Sequence, residues 1–173
     1  MTLANKITVL RIIAIPVFVI LFLEHHLVWA RTIFVVSVLS DALDGTLARL
    51  RGERTPLGSF LDPMADKLLL VSTYIVFTIT GALPIWIFIV VLSRDMLIVL
   101  GWTVVYILTG NSKIQPRPLG KITTAFQMFV SVAILFAFPA VLYQPLLYAM
   151  VITTVVSACD YVWIGNKRLG SVG

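Results

Sequence analysis

Six apolar runs, each close to bilayer length, divide this chain and leave few folds open to it. They fall at residues 7–23, 27–50, 59–81, 85–108, 119–138 and 145–164. Crossing a bilayer's hydrocarbon core takes about 20 residues of α-helix but only about 9–11 of strand. A backbone in lipid must also satisfy its own hydrogen bonds, which a helix does within one segment. Runs of this length therefore predict helices. Composition agrees: 60% of the 173 residues are hydrophobic and 12% charged, where soluble domains run near 25% charged. The expected fold is all-α, a polytopic membrane protein of six transmembrane helices in one bundle, with a single domain over residues 1–173.

Charge orients the bundle. With six spans both termini share a side, and Lys6, Arg49, Arg51, Arg54, Lys113, Arg117, Lys121, Lys167 and Arg168 share it with them. Only Arg31 falls near the opposite loops. The excess of Lys and Arg predicts that side to be cytoplasmic, in a bacterial-type plasma membrane. The net charge of +5 is thus read as membrane topology and not as nucleic-acid binding. A lone cysteine, Cys159, gives no disulfide within the chain. No cleavable signal is expected at the first run, because Glu24-His25-His26 follows it in place of small residues. The His pair is not read as a metal site, since adjacent helix positions diverge and nothing nearby completes a ligand set.

Against this apolar background, residues 41–66 hold four of the six aspartates. Asp41 and Asp44 are spaced i, i+3, and Asp62 and Asp66 i, i+4, so each pair lies on one face of its helix. Gly52 and Pro56 mark a turn between the two helices. A short turn makes the helices antiparallel neighbours and lets the four carboxylates converge at one end. Gathered carboxylates repel one another and need a compensating charge. A hard divalent cation with oxygen ligands supplies it, and two such ions are a common arrangement for phosphoryl chemistry. Gly45 and Ala48 leave the helix face bare enough for a bulky ligand to approach.

The stretch resembles the signature of the CDP-alcohol phosphotransferase family, D-x-x-D-G-x-x-A-R-x8-G-x-x-x-D-x-x-x-D. All eight fixed positions are present: Asp41, Asp44, Gly45, Ala48, Arg49, Gly58, Asp62 and Asp66. A weaker resemblance opens the chain, where Asn5, Thr8 and Arg11 match an N-x-x-T-x-x-R pattern. The resemblance implies a Mg²⁺- or Mn²⁺-dependent enzyme with two ions held by Asp41, Asp44, Asp62 and Asp66. Asp66 would also be the general base. Gly45, Ala48, Arg49, Gly58, Asn5 and Thr8 would surround CDP-diacylglycerol. A homodimer in membrane lipid is implied as well.

The acceptor alcohol is read from the cations. Arg11, Arg94, Arg117 and Lys121 would bind an acceptor phosphate, which favours glycerol 3-phosphate. Gly120-Lys121-Ile-Thr123-Thr124-Ala-Phe-Gln127 resembles the G-K-x-K-T-A-x-Q block of the family branch that uses this acceptor, with Thr123 at the second lysine. Ser93-Arg94-Asp95 resembles equally the branch that uses phosphatidylglycerol. Intramembrane acids also mark ion paths, so a cation transporter is the reading from another class. Acids crowded at one face, and not spread through the bilayer depth, argue against it.

Overall fold

The computed structural model describes residues 3–51, 56–109 and 118–169, with side chains at 6–40, 61–101, 103, 104, 107 and 118–164. Each of the six apolar runs is a helix: α1 Leu3–Leu23, α2 Leu27–Arg51, α3 Pro56–Ile79, α4 Ile85–Thr109, α5 Pro118–Leu135 and α6 Ala140–Leu169. The described residues contain no strand. Lys6–Leu23, Pro118–Leu135 and Ala140–Ile164 are long and apolar enough to cross a membrane, and α2 opens on a shorter apolar stretch, Leu27–Ser40. In α3 the charges of Asp62, Asp66 and Lys67 break the apolar length.

Helix ends differ from the expected boundaries for local reasons. Proline fits the first helical position, where its missing N–H costs nothing, so α3 starts at Pro56 and not at residue 59. Pro63 consequently stands deeper in α3 than the first turn, where it removes one backbone hydrogen bond. At the start of α6 the Pro139 carbonyl accepts from the Leu142 amide at 2.9 Å, which begins the helix at Ala140.

Three helices end on a left-handed residue. After α1, His25 has φ 61°; its amide reaches the Phe22 carbonyl at 3.1 Å, and the His26 amide reaches Leu21 at 2.8 Å. After α5, Ala137 has φ 53°, with Ala137 to Ile134 and Phe138 to Ala133 both at 2.9 Å. These are Schellman caps, in which the left-handed position usually holds glycine. Gly81, φ 75°, fills that position after α3. The two histidines thus turn the chain. A side chain in left-handed conformation costs about 1–2 kcal/mol. Ala137→Gly and His25→Gly are therefore expected to stabilise the protein by about 1 kcal/mol each, measured as a rise in the unfolding midpoint in one detergent.

The chain forms two compact units, Met1–Ala82 and Leu83–Gly173. In the first, α1 packs against both α2 and α3. Its buried stripe is Thr8, Arg11, Ile15 and Phe18, at alternating spacings of three and four. Facing it are Ala30, Phe34 and Ser37 of α2, and Ala65, Leu69, Leu70, Thr73, Tyr74 and Phe77 of α3. α1 and α3 run parallel in constant register. Thr8 meets Asp62 at an offset of 54 residues and Arg11 meets Asp66 at 55. Phe22 then meets Phe77, ring centroids 5.7 Å apart. Over the intervening helix, roughly 22 Å, the interface changes from polar to aromatic. Phe18 closes the aromatic end against Phe34 at 5.8 Å.

In the second unit α6 packs on α4 and on α5. Leu147, Met150, Thr154 and Ser157 form its buried stripe. The Thr123 hydroxyl of α5 donates to the Thr153 carbonyl of α6 at 3.2 Å, tying the two helices together.

Candidate active site

Four side chains gather at the polar end of the α1–α3 pair. The Thr8 hydroxyl donates to Oδ1 of Asp62 at 2.6 Å. One turn further on, Arg11 Nη1 donates to Oδ1 of Asp66 at 3.1 Å. Thr8 is fully buried, while the Arg11 and Asp66 side chains are 1% and 30% exposed. The carboxylates are thus held from the α1 side and remain partly open. Asp62 and Asp66 stand one turn apart on α3 because of their i, i+4 spacing. Two carboxylates on successive turns form a hard, all-oxygen donor set, which fits Mg²⁺ or Mn²⁺ better than softer metals. Among the described residues no three His, Cys, Asp or Glu side chains come together. The side chains of Asp41, Asp44, Ala48 and Arg49 lie outside the described residues, as do Gly45 and Gly58 beyond their helical backbone. The helix of α2 nonetheless continues through these positions to Arg51.

The second unit holds another buried cation. Arg94, 5% exposed, donates from Nη1 to Asp95 Oδ1 at 2.8 Å and from Nη2 to Ser157 Oγ at 3.0 Å. Its guanidinium carbon lies 5.9 Å from the Tyr161 ring centroid, within cation–π range. Arg94 Nε is buried with no hydrogen-bond partner. Gly120, at the start of α5, completes the enclosure: a Cβ there would stand 3.0 Å from Nη2. Glycine is thus what admits the guanidinium. Neighbouring helix positions diverge by about 100°, yet Arg94 and Asp95 do pair, which the length of the arginine side chain allows.

Of the other sequence-read residues, Lys121 is exposed on the first turn of α5, and Asn5 and Arg117 lie outside the described side chains. Ser157 and Tyr161 emerge only with the structure. Their i, i+4 spacing in an apolar run is the signal that could have found them.

Membrane-length helices that bury cations against carboxylates and hydroxyls describe a membrane-type protein handling charged ligands. The chain belongs to the CDP-alcohol phosphatidyltransferase family, whose model matches residues 1–157. It is 32% identical to a probable phosphatidylglycerophosphate synthase of Mycobacterium tuberculosis, over 98% of this chain and 84% of that protein. A Bacillus subtilis CDP-diacylglycerol–glycerol-3-phosphate 3-phosphatidyltransferase is 34% identical over 77% of this chain and 76% of its own length. A human CMP-forming cardiolipin synthase is 29% identical over 97% of the chain and 63% of its own length. The protein is accordingly a transferase of phospholipid biosynthesis. That sets aside the cation-transport reading.

Proposed function

We propose that this chain transfers the phosphatidyl group of CDP-diacylglycerol to glycerol 3-phosphate and releases CMP. The observation that carries the proposal is the 32% identity to the mycobacterial synthase, sustained over 98% of the chain. The glycerol-3-phosphate enzyme of Bacillus subtilis supports the same acceptor by its name.

In the proposed reaction the acceptor hydroxyl oxygen attacks the phosphorus that bears diacylglycerol. Its proton passes to Asp66, the bond to CMP breaks, and CMP leaves with the electron pair. Asp41, Asp44, Asp62 and Asp66 would hold two Mg²⁺ or Mn²⁺ ions, which when bound would neutralise charge on the diphosphate and the departing nucleotide. Asp41 and Asp44 lie on α2, whose helix runs through them to Arg51. Gly45, Ala48, Arg49, Gly58 and Asn5 remain assigned to the CDP-lipid, and Arg94, Arg117 and Lys121 to the acceptor phosphate. Arg11, expected among those cations, donates from Nη1 to Asp66. We assign six spans, a cytoplasmic site and a homodimer from the charge bias and the family.

The test is CMP release from CDP-diacylglycerol labelled in the cytidine, with Mn²⁺ or Mg²⁺ and each acceptor in turn. Glycerol 3-phosphate is expected to drive it. Release driven only by phosphatidylglycerol would move the chain to the second reading, favoured by its likeness to the human cardiolipin synthase. No release with any acceptor would end the proposal.

A further inference from the structure

The buried stripe of α1 carries two polar side chains where apolar ones would pack more cheaply. Burying a hydroxyl or a guanidinium costs free energy unless each finds a partner. Thr8 and Arg11 each donate to a carboxylate of α3. Further along the same stripe Ile15, Phe18 and Phe22 need none. Simple adhesion of α1 to α3 would be served by apolar residues throughout, as the aromatic end shows. The polar end therefore serves the carboxylates.

We infer that Thr8 and Arg11 are positioning residues, which fix the rotation of the Asp62 and Asp66 carboxylates. The terminal torsion of an aspartate is broad and roughly two-fold, so its two oxygens exchange readily unless one is held. Thr8 holds Oδ1 of Asp62 and Arg11 holds Oδ1 of Asp66. The rigid α1–α3 register keeps both holds in step. Each carboxylate then presents a set oxygen face to a divalent ion or to a proton. Such partners behind a metal-binding carboxylate are typically worth 10–100-fold in metal affinity or activity. The inference rests on the proposed function for the identity of the ion and the reaction. It moves Arg11 from acceptor binding to the support of Asp66.

The experiment uses the purified full chain in lipid and two readouts. Mn²⁺ affinity is measured without substrate by the electron paramagnetic resonance of free Mn²⁺. Steady-state kinetics give kcat and the acceptor KM. Thr8→Val keeps the volume and removes the hydroxyl; Thr8→Ser keeps the hydroxyl. The expected result is Mn²⁺ binding about 10–100-fold weaker in Thr8→Val, with near-native affinity in Thr8→Ser. Arg11→Lys keeps the charge but loses the planar fork; it is expected to lower kcat about tenfold and leave the acceptor KM within twofold. Thr8→Val with Mn²⁺ affinity and kcat both within twofold of the parent overturns the role of Thr8. An Arg11→Lys effect confined to the acceptor KM overturns the role of Arg11 and returns it to the substrate phosphate. If the parent protein releases no CMP with any acceptor, the functional proposal fails, and the substrate-free Mn²⁺ comparison still decides the positioning role of Thr8.

Discussion

Asp66→Asn is expected to lower CMP release by about 10²–10⁴-fold, the range a positioned general base contributes. The substitution removes the proton acceptor together with one negative charge facing Arg11 and the proposed ions, while keeping the side chain's size. Its carboxamide oxygen can still accept from Arg11 Nη1, which now stands 3.1 Å from Oδ1. The α1–α3 register is also held independently by the Thr8–Asp62 bond and by Phe22 against Phe77. CDP-diacylglycerol binding is expected to persist, measured by equilibrium binding of the labelled nucleotide lipid. Turnover within a few-fold of the parent would remove Asp66 as the base. The pair of readouts matters, because loss of both binding and turnover would point to a collapsed site and not to lost chemistry.

Arg94→Ala is expected to raise the KM for glycerol 3-phosphate by about 10–100-fold, the worth of one charge-assisted hydrogen bond to a phosphate. Arg94→Lys should recover little of it. The guanidinium is planar and is shared among Asp95, Ser157 and the Tyr161 ring, and a single ammonium cannot reproduce that arrangement. Gly120→Ala is the milder version, since its Cβ would press on Nη2 from 3.0 Å without removing the charge. An acceptor KM unchanged in all three variants would exclude Arg94 from acceptor recognition and leave it a structural tie between α4 and α6.

Length and apolarity of the runs suffice to read the six helices, three of which, among the described residues, are long and apolar enough to cross a membrane. Their ends are less legible. Ala137 carries none of glycine's usual warning, yet it adopts the left-handed cap that stops α5 at Leu135. His25 and His26 attract a metal reading by residue type, when their structural part is backbone geometry. The aspartate spacing shows which carboxylates share a face. It does not show what stands behind them. Thr8 and Arg11 announce a common face by their three-residue interval, but their partners follow from the parallel register of α1 and α3, a tertiary fact about segments some 55 residues apart. Arg94 and Asp95 illustrate the opposite limit: helical geometry separates their Cα directions, and the flexible stem of arginine overrides it.

The offset of 55 residues between Arg11 and Asp66 also has a consequence in time. A ribosome adds about 5–20 residues each second, so the guanidinium exists for roughly 3–11 s before its counter-charge has been synthesised. During that interval the nascent first helix carries a cation still lacking this partner. Arrival of the third helix supplies the Asp66 carboxylate and sets the parallel register with the first. Substitutions at Asp66 should therefore lower the yield of inserted protein as well as its turnover, and the two losses should separate when expression is slowed.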